Sequence, residues 1–127
     1  LGLRDVVRGA TLLSGVYEVE PLGHTYIGEA IGLGVGEASR NSPIQHLRPG
    51  LPPLLVARGG TETEAFADQQ DDLMNVLVQL EAPVVELVVP ERHHFDLPLG
   101  LGDPADLVGR AVLAQMELTA MTEMKRR

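Results

Sequence analysis

The apolar positions fall into short blocks of two different periods. Val6 to Leu13 (V-V-R-G-A-T-L-L) is largely apolar and is broken by Ser14-Gly15, which predicts a strand. Leu54-Leu55-Val56-Ala57 is a compact apolar run between Pro52-Pro53 and Gly59-Gly60, the pattern of a strand buried on both faces. From about Glu64 to Glu81 the period changes. Leu73, Val76, Leu77 and Leu80 fall at i, i+3, i+4 and i+7, one stripe of a helix that Pro83 stops. Val84 to Val89 reads as the next strand, ended by Pro90, and a loop carries Glu91 to Gly102. A last helix starts with Asp103 as its cap, Pro104 at its first position and Asp106 near its positive end. It is expected to run toward Met124, with Leu107, Ala111, Ala114, Leu118 and Met121 on one side.

Between the first two strands, residues 23 to 48 are rich in glycine and small side chains, with weak helical stretches around Thr25–Leu33 and Gly36–Arg40. They read as an excursion of short helices and loops rather than as sheet. The order is then strand, excursion, strand, helix, strand, helix. Alternation of this kind implies parallel pairing through right-handed crossovers. The expected fold class is α/β: a three-layer, mostly parallel sheet of about three strands with flanking helices. Sheets of this type place their sites beyond the carboxyl ends of the strands.

Composition narrows the picture. A chain of 127 residues suits one domain, and 44% apolar residues predict a folded state. The aromatic residues are only Tyr17, Tyr26, Phe66 and Phe95, so Leu, Val, Ile and Ala must build the core. Ten basic and eighteen acidic residues leave a formal charge of −8, which disfavours nucleic-acid and anionic-membrane partners. The basic end Lys125-Arg126-Arg127 suits a helix C-terminus better than a binding patch. No cysteine is present, which removes disulfides, thiolate metal sites and a Cys nucleophile. No apolar run approaches the roughly 20 residues of a membrane span, and no signal peptide is visible, so a cytoplasmic location is expected. The chain starts at Leu1, already apolar, and its first methionine is Met74, which predicts an internal piece of a longer protein.

Two loops carry the candidate chemistry. Gly59-Gly60-Thr61-Glu62-Thr63-Glu64 follows one strand and Glu91-Arg92-His93-His94-Phe95-Asp96 follows the next. If those strands pair in parallel, both loops share one edge, and a carboxylate from the first can reach an imidazole from the second. A carboxylate there can fix the ring tautomer and stabilise the imidazolium while the other ring nitrogen acts as general base. Competing readings are weaker. Adjacent residues such as His93 and His94 rarely point to one ion, and no third ligand is suitably spaced, so no metal is expected. No lysine follows Gly59-Gly60 as a phosphate loop requires. Gly32-Leu33-Gly34-Val35-Gly36 follows no strand, so it is not a dinucleotide fingerprint. No cofactor is called for.

Four segments carry a family resemblance. Ser14-Gly15-Val16-Tyr17-Glu18-Val19-Glu20-Pro21-Leu22 resembles the S-G-[VI]-[YF]-D-L-x-P-L segment of arylformamidases (kynurenine formamidases) and their bacterial esterase relatives. Arg40-Asn41-Ser42-Pro43 resembles the R-x-S-P that follows the family's cap helices. Gly59 to Phe66, with Gln69, resembles the acid loop and its helix. Arg92-His93-His94-Phe95-Asp96 resembles the histidine loop, which usually ends H-F-D. The segments occur in the family's order and cover roughly residues 6 to 116. The resemblance implies the C-terminal half of an α/β-hydrolase-fold serine hydrolase, occupying residues 1–127, with residues 23–48 in the cap position. It implies His94 as catalytic base and Glu62 as the triad acid. Many relatives have Asp at the acid, and Glu64 stands two residues on as the other candidate. Gln70 stands where relatives often have Ser, and His93 where they often have Asn; neither is given a role. The departure of most consequence is an absence. The fold orders its triad serine, acid, histidine, with the serine in G-x-S-x-G. Ser14, Ser39 and Ser42 do not form such a motif, and the H-G-G of the oxyanion hole is also missing.

Two expectations follow. The chain is part of a serine hydrolase that cleaves carboxylic esters or aryl formamides, with a small-molecule substrate, and is inactive without its nucleophile. Alternatively it is a non-catalytic α/β module that binds or assembles. In either case the apolar edge at Val6–Leu13 needs a partner, the missing N-terminal half or a second copy in a homodimer.

Overall fold

The computed structural model describes residues 6–117. Within them, β1 (Ala10–Leu13), β2 (Leu54–Gly59) and β3 (Val84–Val89) form one sheet in the order β1-β2-β3, with both pairings parallel. Leu54 aligns with Ala10 on one side and with Val84 on the other, so the three strands end at the same edge. β1 is shorter than the strand expected from Val6. Val6 and Val7 are exposed, and the ladder opens only where the Ala10 amide donates to the Pro53 carbonyl. An apolar pattern therefore overran the length that β2 can pair.

The sheet is covered on both faces. α3 (Glu64–Gln79) sets Leu73 and Leu77 against Leu54, Val56 and Tyr17. α4 (Leu107–Gln115) sets Val108 against Val89, with Leu97 between them. Alternate residues of β2 thus face opposite layers, which is why Val56 and Ala57 are both fully buried and the strand reads as one apolar run. A fully buried Val or Leu side chain such as Val56 or Leu77 contributes about 1.5–3 kcal/mol by leaving water. β3 is an outer strand and less protected, with Val85 and Val88 exposed.

The excursion contains α1 (Tyr26–Ile31) and α2 (Val35–Asn41). It is tied to the core by Ile44 and Leu47, which pack against the cluster under α3, and by side-chain hydrogen bonds. Gln69 Oε1 accepts from the amides of Tyr17 and Glu18, and its Nε2 donates to the Glu18 carbonyl. Fully buried Ser42 accepts from the Val19 amide and lies 2.6 Å from Glu18 Oε1. The Ser42 hydroxyl, and after it Gln45, hold the Glu18 carboxyl below its ordinary range.

α4 begins three residues later than expected. Asp103 accepts from the Ala105 amide and closes a turn, whereas Asp106 accepts from the Val108 amide and is the actual cap. The expected loop Glu91–Gly102 also contains a 3-10 turn, Leu97–Gly102. The expected extension toward Met124, with Leu118 and Met121, lies outside the described residues. Among the described residues no helix is long and apolar enough to cross a membrane.

Candidate active site

Gly59 ends β2, and the chain rises beyond the sheet edge into the acid loop. This loop is laced to the one that follows β3. The Gly60 amide donates to the Val89 carbonyl, and the Thr61 amide and hydroxyl both donate to the Arg92 carbonyl. The approach is close enough that a Cβ on Gly59 would lie 2.2 Å from the Arg92 carbonyl oxygen. Glycine is therefore required there by space, not by its dihedrals.

The lacing places Glu62 beside His94. His94 Nδ1 lies 2.8 Å from Glu62 Oε1. The other carboxylate oxygen accepts from the Gly59 amide at 2.7 Å and from the Ser14 hydroxyl at 2.6 Å. The Glu62 side chain is 1% exposed, against 44% for His94. Burial alone would raise the Glu62 carboxyl. The Ser14 hydroxyl, the Gly59 amide and the neighbouring imidazole outweigh it and hold the group below the ordinary carboxylate range. A carboxylate at Nδ1 selects the tautomer with the proton on Nδ1, which leaves Nε2 with a free lone pair. Among the described residues nothing hydrogen-bonds to Nε2. The imidazole is held further by Phe66, with ring centroids 4.7 Å apart and planes tilted by 31°, and by the edge of Phe95 at 5.3 Å.

The turn that presents His94 has its own fastenings. Asp96 Oδ1 accepts from the His93 amide, and His93 Nδ1 accepts from the amides of Phe95 and Asp96. His93 is thus a turn residue, with its Nδ1 occupied by the turn's own amides. Arg92 reaches Asp106 at 2.8 Å, tying the loop to the start of α4. The Val108 amide and then Arg92 hold the Asp106 carboxyl below its usual range. Thr61, Thr63, Phe66, His93 and Phe95 surround the Glu62–His94 pair in an open depression of about 460 Å³. A second depression of similar size lies at the opposite, amino ends of the strands. Pro53, Leu54, Pro83, Val84, Ala111 and Ala114 line it, and among the described residues no ionisable group does.

The two site residues expected from the sequence, His94 and Glu62, are therefore in contact. Glu64, the other acid candidate, opens α3 and makes no contact with His94. Gln70 is buried on the underside of α3 and donates to Glu86. Sequence reasoning missed Ser14 as a partner of the acid. Its position directly after β1, whose end adjoins the end of β2, was the available signal. Among the described residues no cluster of three or more metal-ligating side chains occurs.

No family model matches the chain. Over 98 residues it is 33% identical to the kynurenine formamidase of Salmo salar, a match taking in 72% of this chain and 33% of that protein. A protein from Silicibacter sp. TM1040 assigned as a thioesterase superposes with a TM-score of 0.68 at 27% identity, covering 80% of this chain and 37% of that one. Esterase 2 of Thermogutta terrifontis superposes with a TM-score of 0.61 over 91% of this chain and 42% of its own; at 20% identity that likeness speaks for the fold. The chain spans about a third of the length of the curated relative it matches. Its parallel sheet, the layers over it and these likenesses agree on the fold: the chain forms part of an α/β-hydrolase-type domain, and in sequence it is similar to a stretch of a kynurenine formamidase.

Proposed function

We propose that the chain supplies the acid and the base of a serine-hydrolase triad, Glu62 and His94, to an enzyme that cleaves carboxylic esters or aryl formamides. The observation that carries this reading is the 2.8 Å contact between Glu62 Oε1 and His94 Nδ1 on loops leaving adjacent parallel strands. In this reading residues 1–127 belong to one α/β-hydrolase domain, and residues 23–48 form its cap. The nucleophile is a serine outside this sequence. His94 Nε2 takes its proton as the hydroxyl attacks the carbonyl and returns it to the leaving alcohol or amine. Glu62 orients the ring and stabilises the imidazolium, remaining ionised throughout. The formamide substrate class is supported by the name of the Salmo salar relative and the ester class by the names of the structural neighbours.

The test is His94→Ala in the full-length protein, assayed on an aryl ester and an aryl formamide. Turnover of both should vanish while the protein stays folded, because the imidazole is nearly half exposed. Turnover retained within tenfold overturns the assignment.

A further inference from the structure

Ser14 occupies a backbone conformation that most residues avoid. Its φ is +46°, at the point where β1 ends, while its amide still donates to the Ala57 carbonyl at 2.8 Å. A non-glycine residue in the left-handed region costs free energy and persists only where its surroundings hold it. The turn brings the hydroxyl to 2.6 Å from Glu62 Oε2, a carboxylate that is almost wholly out of water. Serine is otherwise an ordinary turn residue, and glycine would take this φ without strain. What serine adds is the donor.

We infer that Ser14 is a positioning residue for the Glu62–His94 pair, its hydroxyl locking the carboxylate so that Oε1 stays on His94 Nδ1. This rests on the reading of Glu62 and His94 as triad acid and base. The geometry gives the reason. Glu62 has three side-chain torsions, and with the Gly59 amide as the one donor on Oε2 the carboxylate could turn about that contact and let Oε1 leave His94. Two donors on Oε2, one from its own loop and one from the neighbouring strand, fix both the position and the plane of the group. The hydroxyl is occupied with Glu62 and is not presented to Nε2, so Ser14 is not a nucleophile.

The rival account is that Phe66 and Phe95 alone hold the ring. The ring tautomer separates the two, since aromatic packing does not distinguish Nδ1–H from Nε2–H. The experiment is long-range ¹H–¹⁵N imidazole spectroscopy of the full-length protein at a pH where the ring is neutral, with the His94 signal identified by its loss in His94→Asn. Wild type, Ser14→Gly, Ser14→Ala and Glu62→Gln are compared. Ser14→Gly removes the hydroxymethyl group without straining the positive-φ backbone, and Ser14→Ala removes the hydroxyl alone, so a general loss of structure does not confuse the result. The expected result is an Nδ1–H tautomer in wild type and loss of most of that population to Nε2–H in both Ser14 variants. kcat should fall about tenfold with KM little changed, the low end for outer partners of catalytic groups. If Glu62→Gln shifts the tautomer but Ser14→Gly does not, the Ser14 inference is wrong and the Glu62–His94 reading stands. A shift in Ser14→Ala alone also overturns it, by showing that backbone strain and not the hydroxyl matters. If Glu62→Gln leaves the tautomer unchanged, the underlying reading fails and this inference with it.

Discussion

Replacing Glu62 by Gln changes one atom and tests most of the site. The carboxylate accepts three hydrogen bonds, from the Ser14 hydroxyl, the Gly59 amide and His94 Nδ1. An amide can accept on only one side. If its NH₂ faced Gly59, two donors would meet with no water to separate them. The cheaper arrangement keeps the amide oxygen on Ser14 and Gly59 and turns the NH₂ toward His94. The imidazole then accepts through Nδ1 and carries its proton on Nε2. Hydrogen bonds to a charged group contribute about 1.5–3 kcal/mol, and two of the three survive in neutral form, so the stability loss is about 1–3 kcal/mol. The functional loss is far larger, because Nε2 is now protonated and cannot act as base. Swapping a triad acid for its amide lowers kcat by the order of 10⁴-fold.

The pH dependence gives a second check on the same variant. Folding holds the Glu62 carboxyl below its ordinary range, so its contribution is present at neutral pH, above the pKa of the unfolded chain. It is lost as pH falls through the ordinary carboxylate range toward the lower folded value. Gln does not titrate, so the gap in unfolding free energy between wild type and Glu62→Gln should narrow through that acid limb. Denaturant titrations at several pH values below the carboxylate range of free Glu and at neutrality measure it, beside turnover at neutral pH. A gap that stays constant with pH, or a variant as active as wild type, refutes the account of Glu62 as a buried, ionised acid.

Further expectations can be checked beside it. Gly59→Ala places a Cβ against the Arg92 backbone and should part the two loops, lowering activity in the full-length protein even at temperatures where the fold survives, as read by turnover and by thermal unfolding. Leu77→Ala, at a fully buried position between α3 and the sheet, should cost about 2–5 kcal/mol in denaturant unfolding. Gln69→Ala removes three hydrogen bonds that hold the segment entering the excursion. Limited proteolysis should then cut between residues 20 and 50 faster than in wild type, and an unchanged cleavage rate would show that the excursion is held by other contacts.

How far the sequence could be read depended on how local the determining forces were. β2 and α3 were legible because full burial forces an unbroken apolar run in one and a 3.6-residue stripe in the other. β3 was legible to the residue, bracketed by Pro83 and Pro90. β1 was not, because its length is set by how far β2 can pair with it, which Val6 and Val7 do not encode. The start of α4 was misplaced because Asp103 and Asp106 are both good caps by type. Arg92, distant in sequence, lies against Asp106 and favours that one. Parallel strand order brought the two loops to one edge, and the family resemblance picked out His94 and Glu62 within them, with Glu64 left as the other acid. The Ser14 contact was not legible, since a serine after a strand has many possible partners and only the fold brings this one to a buried carboxylate.

The geometry also sets terms for whatever group completes the chemistry. His94 is closed on three sides: Glu62 at Nδ1, the Phe66 ring across one face, and the Phe95 edge beside it. Only Nε2 remains available, so an attacking hydroxyl must arrive within about 2.6–3.2 Å of that nitrogen from the open side of the depression. Under the proposed function the oxyanion donors stand on the far side of the substrate carbonyl, and the donors at the end of β2 are already in use. The Gly59 amide is committed to Glu62, the Gly60 amide to Val89, and the Thr61 amide and hydroxyl to Arg92. The bonds that fasten these two loops therefore spend the Gly59, Gly60 and Thr61 donors within the loops. Under the proposed function, base catalysis belongs to this chain, and nucleophilic attack and oxyanion binding belong to residues outside it.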